Sequence, residues 1–185
     1  FYYYNDDKVS TSTVIEAPLI FGIPGPLGSL IDTEAKVDTT SWAVFGHGEF
    51  ALSDAVTVLG GVRYTEDDKD LDVTLLLGPG GSFSTEDSEV TWKAGLNWLP
   101  ADDVLLYASV QTGYKSADFN TTLLFGDASA AAPTEPETNI TYEGGLKWTL
   151  LDGRARVNAA VFYNDVTDKQ ATVQLLVGGI PTTRF

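Results

Sequence analysis

The chain has no cysteine and no methionine, and it holds a single histidine, His47. Without cysteine there is no disulfide framework, no thiol catalysis and no thiolate-ligated metal. The lone His47 has no second histidine with which to share a metal ion. Basic residues are scarce, with 11 Lys and Arg against 26 Asp and Glu and a net charge of −15. Nucleic acid needs a basic face, so it is excluded as a partner. No run approaches the roughly 20 apolar residues of a membrane helix. There is no Ser-His-Asp set, no phosphate-binding glycine loop and no paired carboxylates with a pocket. Neither enzymatic activity nor a cofactor is expected. A signal peptide and an initiator Met are also missing, and the opening Phe1-Tyr2-Tyr3-Tyr4 suggests a processed chain or a piece of a larger one.

What the sequence does contain is alternation. In six windows (42–52, 56–64, 90–98, 104–114, 140–150 and 155–163) every second residue is uncharged, and these positions carry all four Trp. The third reads Val90, Trp92, Ala94, Leu96, Trp98; the fifth reads Ile140, Tyr142, Gly144, Leu146, Trp148, Leu150. The interleaved positions hold His47, Glu49, Arg63, Lys93, Glu143, Lys147 and Arg156. One apolar and one polar face, in units of about 9–11 residues, is what a bilayer demands of a barrel strand. The expected fold is all-β: a partial antiparallel up-and-down transmembrane β-barrel with about six full membrane strands and two terminal stubs.

Connections alternate in length, as in outer-membrane barrels, with short periplasmic turns and long extracellular loops. Short ones fall at Ser53–Ala55, Leu99–Asp103 and Leu151–Arg154, where Asp152-Gly153 favours a type I′ turn. Long ones run from about Thr65 to Glu89 and from Lys115 to Asn139. Pairing Val56 with Trp98 sets Tyr64 opposite Val90; pairing Val104 with Leu150 sets Tyr114 opposite Ile140. Tyr64, Trp92, Tyr114, Tyr142 and Tyr163, with Trp42, then form an upper aromatic belt, and Phe50, Trp98 and Trp148 a lower one. Above the upper belt the parity reverses: Asp68, Asp70 and Asp72 take the apolar phase while Leu71, Val73, Leu75 and Leu77 take the other. A bulge is the expected cause, and Gly78–Gly81 the expected turn. Phe1–Asp7 looks like the top of an ascending strand, and Thr182–Phe185 like the start of a descending one. Such open edges predict a fragment of a larger barrel, or a chain that assembles with copies of itself edge to edge into a fibre.

Three stretches resemble the TonB-dependent outer-membrane receptors: GGVRYTEDDKD (60–70), LLYASVQTGYKSADFN (105–120) and PETNITYEGGLKWTLLDGRARVNAAVFYNDVTDKQ (136–170). The resemblance covers the middle of the chain, from Trp42 to Gln170. It implies that residues 1–185 are part of a barrel domain of about 22 strands, closed in the whole receptor by a plug that this chain lacks. It further implies a place in the bacterial outer membrane, among lipid and lipopolysaccharide. The function it implies is uptake of a scarce ligand (ferric siderophore, cobalamin, haem or oligosaccharide), energised through the plug by the TonB complex.

Arg63, Lys93, Glu143, Lys147 and Arg156 are the candidate lumen-facing residues, in contact with plug or ligand, or simply a hydrated polar wall. Glu143 and Lys147 are too far apart along one strand to pair directly, so cross-strand partners are expected. The acidic run Glu66, Asp67, Asp68, Asp70, Asp72 offers oxygen ligands of the kind Ca²⁺ takes, but it lacks an EF-hand spacing, and the favoured reading is a solvated outer surface opposed by Glu86, Asp87 and Glu89. The loops around Pro18–Leu30 and Asp127–Pro136 either contact a ligand or cover the mouth.

Overall fold

A computed structural model describes residues 2–15, 31–75, 80–121, 131–171, 173–177 and 180–184. The strands are β1 (Tyr2–Ile15), β2 (Ile31–Ala51), β3 (Val56–Leu75), β4 (Gly81–Ala101), β5 (Val104–Lys115), β6 (Glu137–Leu150), β7 (Ala155–Thr167), β8 (Val173–Val177) and β9 (Ile180–Arg184). β1 to β7 form one sheet in chain order, and every neighbouring pair is antiparallel. The sheet is an open meander, with β1 and β7 at its edges. Each predicted membrane window falls on one of β2 to β7, with only Leu52 past a strand end. The expected strand from Thr182 is not an extension of this sheet: Ile180–Arg184 folds back on Val173–Val177 instead. Phe1, Pro18–Leu30, Leu77, Gly78, Pro79 and Phe185 lie outside the described residues.

The short turns form as their chemistry dictates. Ser53 Oγ accepts from the N–H groups of Ala55 and Val56 at 3.3 and 3.1 Å. Asp152 and Gly153 have φ of 52° and 86°, and Arg154 N–H donates to Leu151 O at 3.2 Å. Positive φ at both central residues is the requirement of a type I′ turn.

The β3–β4 register is the predicted one, with Val56 opposite Trp98 and Tyr64 opposite Val90. The β5–β6 register differs by two residues: Val104 faces Trp148, and Tyr114 faces Thr138. The foot of β6 bonds to the neighbouring turn instead. Thr149 N–H donates to Asp103 O at 2.8 Å, and the Trp148 indole N–H donates to Asp103 Oδ2 at 3.2 Å.

Tyr114 also leaves the predicted belt. The β4–β5 ladder ends at Lys93–Gln111, and Trp92 N–H donates at 2.9 Å to the Thr112 hydroxyl. Above this point β5 parts from β4, and the Tyr114 hydroxyl is buried beside Asp67 and Asp87. Burial, reinforced by those carboxylates, pushes its phenol well above the usual range.

The remaining belt residues descend diagonally. Tyr64 lies two ladder rows below Trp42, Trp92 two below Tyr64, and Tyr142 two below Trp92, level with Tyr163. Phe50, Trp98 and Trp148 descend likewise. Rings along the upper belt touch: the Trp42 and Tyr64 centroids are 5.4 Å apart, those of Tyr142 and Tyr163 6.5 Å. Both belts lie flat in a membrane only if the strands tilt. A fall of roughly four to six residues across four strand spacings, at about 3.3 Å per residue and about 4.8 Å per strand, corresponds to a tilt of roughly 35–45°.

The two faces of β3 show what each meets. Val62, on the belted face, is 54% exposed, as lipid contact requires, whereas Leu71, on the other face, is fully buried. No bulge accounts for the change of pattern above the belt, because the β2–β3 and β3–β4 registers run unbroken from the lower turns to Val73–Gly81. Leu71 and Val73 stay on the face that carries Arg63. That face turns apolar because Phe119 and Ala131, from the β5–β6 connection, pack on it with Ala35.

Candidate functional site

The register brings Arg63, Lys93, Glu143, Lys147 and Arg156 onto one face of the sheet, opposite the belts. They do not converge on a single pocket. Arg63 sits uppermost, its guanidinium 5.7 Å from the Tyr3 ring centroid and 5.6 Å from that of Phe45, with Nε donating to Thr65 Oγ1 at 2.9 Å. Arg63 and Lys93 line one shallow cleft of about 220 Å³. Lys93, Glu143 and Lys147 line a second of about 200 Å³, and Lys147 and Arg156 a third of about 320 Å³ towards the short turns. His47 pairs with Glu49 at 3.7 Å. Among the described residues no cluster of His, Asp and Glu could hold a metal ion, the acidic run of β3 included.

Glu143 and Lys147 share a cross-strand partner. The Tyr107 hydroxyl donates to Glu143 Oε1 at 2.7 Å, and Lys147 Nζ lies 5.6 Å from the centre of the same ring. This geometry depends on Gly145, which stands directly opposite Tyr107 in the ladder. The ring lies flat across Gly145, where a Cβ would collide with its Cε1, Cζ and hydroxyl atoms. An aromatic covering a strand glycine shields backbone that would otherwise be bare. Gly145→Ala should therefore lift the ring, break the bond to Glu143 and destabilise the wall by about 1–3 kcal/mol. Urea unfolding of the assembled protein in detergent checks this; a midpoint equal to that of the parent protein would sink the assignment.

At the upper end the three motif segments meet. Lys69 Nζ, from 60–70, donates to Ala117 O at 2.7 Å. Asp87 Oδ2 accepts from Ala117 N–H at 3.0 Å. Gln170, at the end of 136–170, donates through Nε2 to Ser116 O at 3.0 Å and Glu135 O at 2.9 Å, while its own N–H donates to Glu137 Oε2 at 2.9 Å. Asp118 and Thr134 exchange two further bonds across the connection, at 2.9 and 3.0 Å. Ser116, Ala117, Phe119 and Asn120 are all buried. The described part of Asp127–Pro136 thus covers the upper part of the face that carries Arg63, with Ala131 in its core. Sequence reasoning missed this contact set. One signal was available: an apolar Leu71 and Val73 on the polar face need a cover, and Phe119 is the large apolar residue of an otherwise polar segment.

The family model for TonB dependent receptor-like β-barrels matches residues 1–184. The chain belongs to the TonB-dependent receptors. Their barrels are outer-membrane proteins that act as receptors and transporters, not enzymes. Among solved structures, the chain is similar to the ferric yersiniabactin uptake receptor FyuA of Yersinia pestis, at 20% identity and a TM-score of 0.76, over 91% of this chain and 25% of that one. It is also similar to the ferric-catecholate import receptor Fiu of E. coli K12, at 17% identity and a TM-score of 0.63, over 99% and 29%. A third is the alcaligin outer-membrane receptor FauA of Bordetella pertussis, at 19% identity and a TM-score of 0.53, over 97% and 31%. The chain therefore spans between a quarter and a third of the length of these receptors. At such identities the likeness is one of fold. For a TonB-dependent receptor wall, an exposed belted face opposite a charged face is the arrangement that lipid outside and water inside impose.

Proposed function

We propose that residues 1–185 form part of the barrel wall of an outer-membrane receptor that takes up a scarce ligand of the ferric siderophore class. The observation that carries this reading is the segregation of charge within the membrane strands. The belted face carries none, and Arg63, Lys93, Glu143, Lys147 and Arg156 all stand on the other. In this reading that face is the lumen, and four cations against two carboxylates, Glu49 and Glu143, offer anionic iron chelates or acidic plug residues a complementary wall. The named relatives support the ligand class, being receptors for ferric yersiniabactin, ferric catecholates and alcaligin. Energy would reach the site through the plug of the whole receptor, from the TonB complex. The acidic outer positions Asp68, Asp70 and Asp72 would stand at the lipopolysaccharide level.

A strain lacking the full receptor gene tests the proposal. Fed a panel of purified ferric siderophores under iron limitation, it should lose uptake of radio-iron from one of them and regain it on complementation. Unchanged uptake of every iron chelate, with loss of cobalamin, haem or oligosaccharide uptake instead, would overturn the ligand class.

A further inference from the structure

The geometry points to Lys69, Asp87 and Gln170 as positioning residues that latch the described ends of the β5–β6 connection, Ser116–Ala117 and Glu135, onto the upper end of the sheet by their backbone. This rests on the uptake reading, in which that end of the wall meets the arriving ligand. The latch grips Ser116–Ala117 from three elements at once. β3 supplies the Lys69 ammonium to Ala117 O, β4 supplies the Asp87 carboxylate to Ala117 N–H, and the segment after β7 supplies the Gln170 amide to Ser116 O. Gln170 reaches across to Glu135 O as well, so one side chain ties both ends of the connection together. Two of the three gripping groups are charged, and charge-assisted bonds are the strong ones.

All the partners on the connection are main-chain atoms. The latch therefore does not depend on which side chains the rest of the connection carries. A grip of this kind keeps the base of the connection fixed over Leu71 and Val73. The placement also answers the repulsion between Asp67 and Asp87, which stand opposite each other in the ladder. The Ala117 N–H brings a hydrogen-bond donor to that pair. Two of the three motifs that mark the family in this sequence, through Lys69 and Gln170, thus grip the third at Ser116–Ala117, and Asp87 of β4 completes the clamp.

The chain's lack of cysteine makes the test direct. In an otherwise cysteine-free full receptor in outer membranes, A131C places a thiol at a fully buried position on the latched connection itself. Its reaction with a membrane-impermeant maleimide reports opening and needs no ligand. Gln170→Ala removes two hydrogen bonds of about 1 kcal/mol each, so labelling should quicken roughly ten- to thirtyfold. Gln170→Glu keeps the size but loses both donors, and should label as fast as Gln170→Ala; Lys69→Ala should accelerate labelling roughly tenfold or more. Asp70→Ala, on the opposite face of β3, should leave the rate unchanged. Retention of the SDS-resistant folded form shows that each variant has assembled. Labelling of Gln170→Glu at the parent rate, or equal acceleration by Asp70→Ala, would overturn the latch. Either result would leave the uptake reading standing, because that reading fails only in the transport assay.

Discussion

Leu96→Arg should abolish assembly of the receptor, while Asn97→Arg, one residue along, should assemble normally. Both positions lie mid-strand in β4, between Trp92 and Trp98 of the two belts. Leu96 is 41% exposed and packs against no core, so in water the substitution would cost next to nothing. In a bilayer the same site lies near the midplane, where arginine costs about 2–4 kcal/mol. Asn97 points to the polar face and already lines a hydrated cleft with Lys93 and Lys147. The yield of folded receptor in outer membranes separates the two environments. Equal yields for the two variants would mean that the belted face does not meet lipid.

Phe119→Ala should unseat the upper inner face without disturbing the membrane strands. Phe119 is 3% exposed and packs with Ala35, Leu71, Val73 and Ala131. Deleting a buried phenyl group costs about 3–5 kcal/mol, because little can collapse into the space. The surrounding hydrogen bonds then lose the shelter that keeps water from competing for them. Amide exchange at Ser116–Asn120 should quicken by roughly a hundredfold or more, while exchange in 90–98 stays slow. Unchanged protection at Ser116–Asn120 would show that the polar latch alone holds the segment.

The membrane portion was legible in the sequence because lipid permits only one pattern on the face it touches. That is why Trp42, Trp92, Trp98 and Trp148 sorted correctly, and why the Val56–Trp98 register could be derived from the length of its hairpin. The Val104–Leu150 pairing failed for a physical reason: a slip of two residues keeps every side chain on its face, so alternation cannot detect it. What decided the register was the bonding of Thr149 and Trp148 to Asp103, contacts between a strand end and a neighbouring turn. Alternation also placed Tyr114 in the upper belt, since nothing local reveals where β5 parts from β4. The candidate face residues were legible as a set, but their clefts were not, because those follow from which ring covers which glycine. The latch was invisible for a related reason. Lys69 and Gln170 recognise main-chain atoms 48 and 54 residues away, and a backbone carbonyl carries no mark in a sequence.

The diagonal fall of the belts sets a condition on closure. Each step to the next strand lowers the belt by about one to one and a half residues. A sheet that slips so at every step cannot join its last strand to its first in level register. In a ring of about 22 strands, the size the family resemblance implies, the accumulated offset would be roughly 22 to 33 residues, and it must match the circumference that those strands span. The aromatic positions therefore encode a ratio of climb to girth that belongs to the whole ring. Removing one hairpin from this wall would change both quantities, and the seam on the far side would have to find a new register.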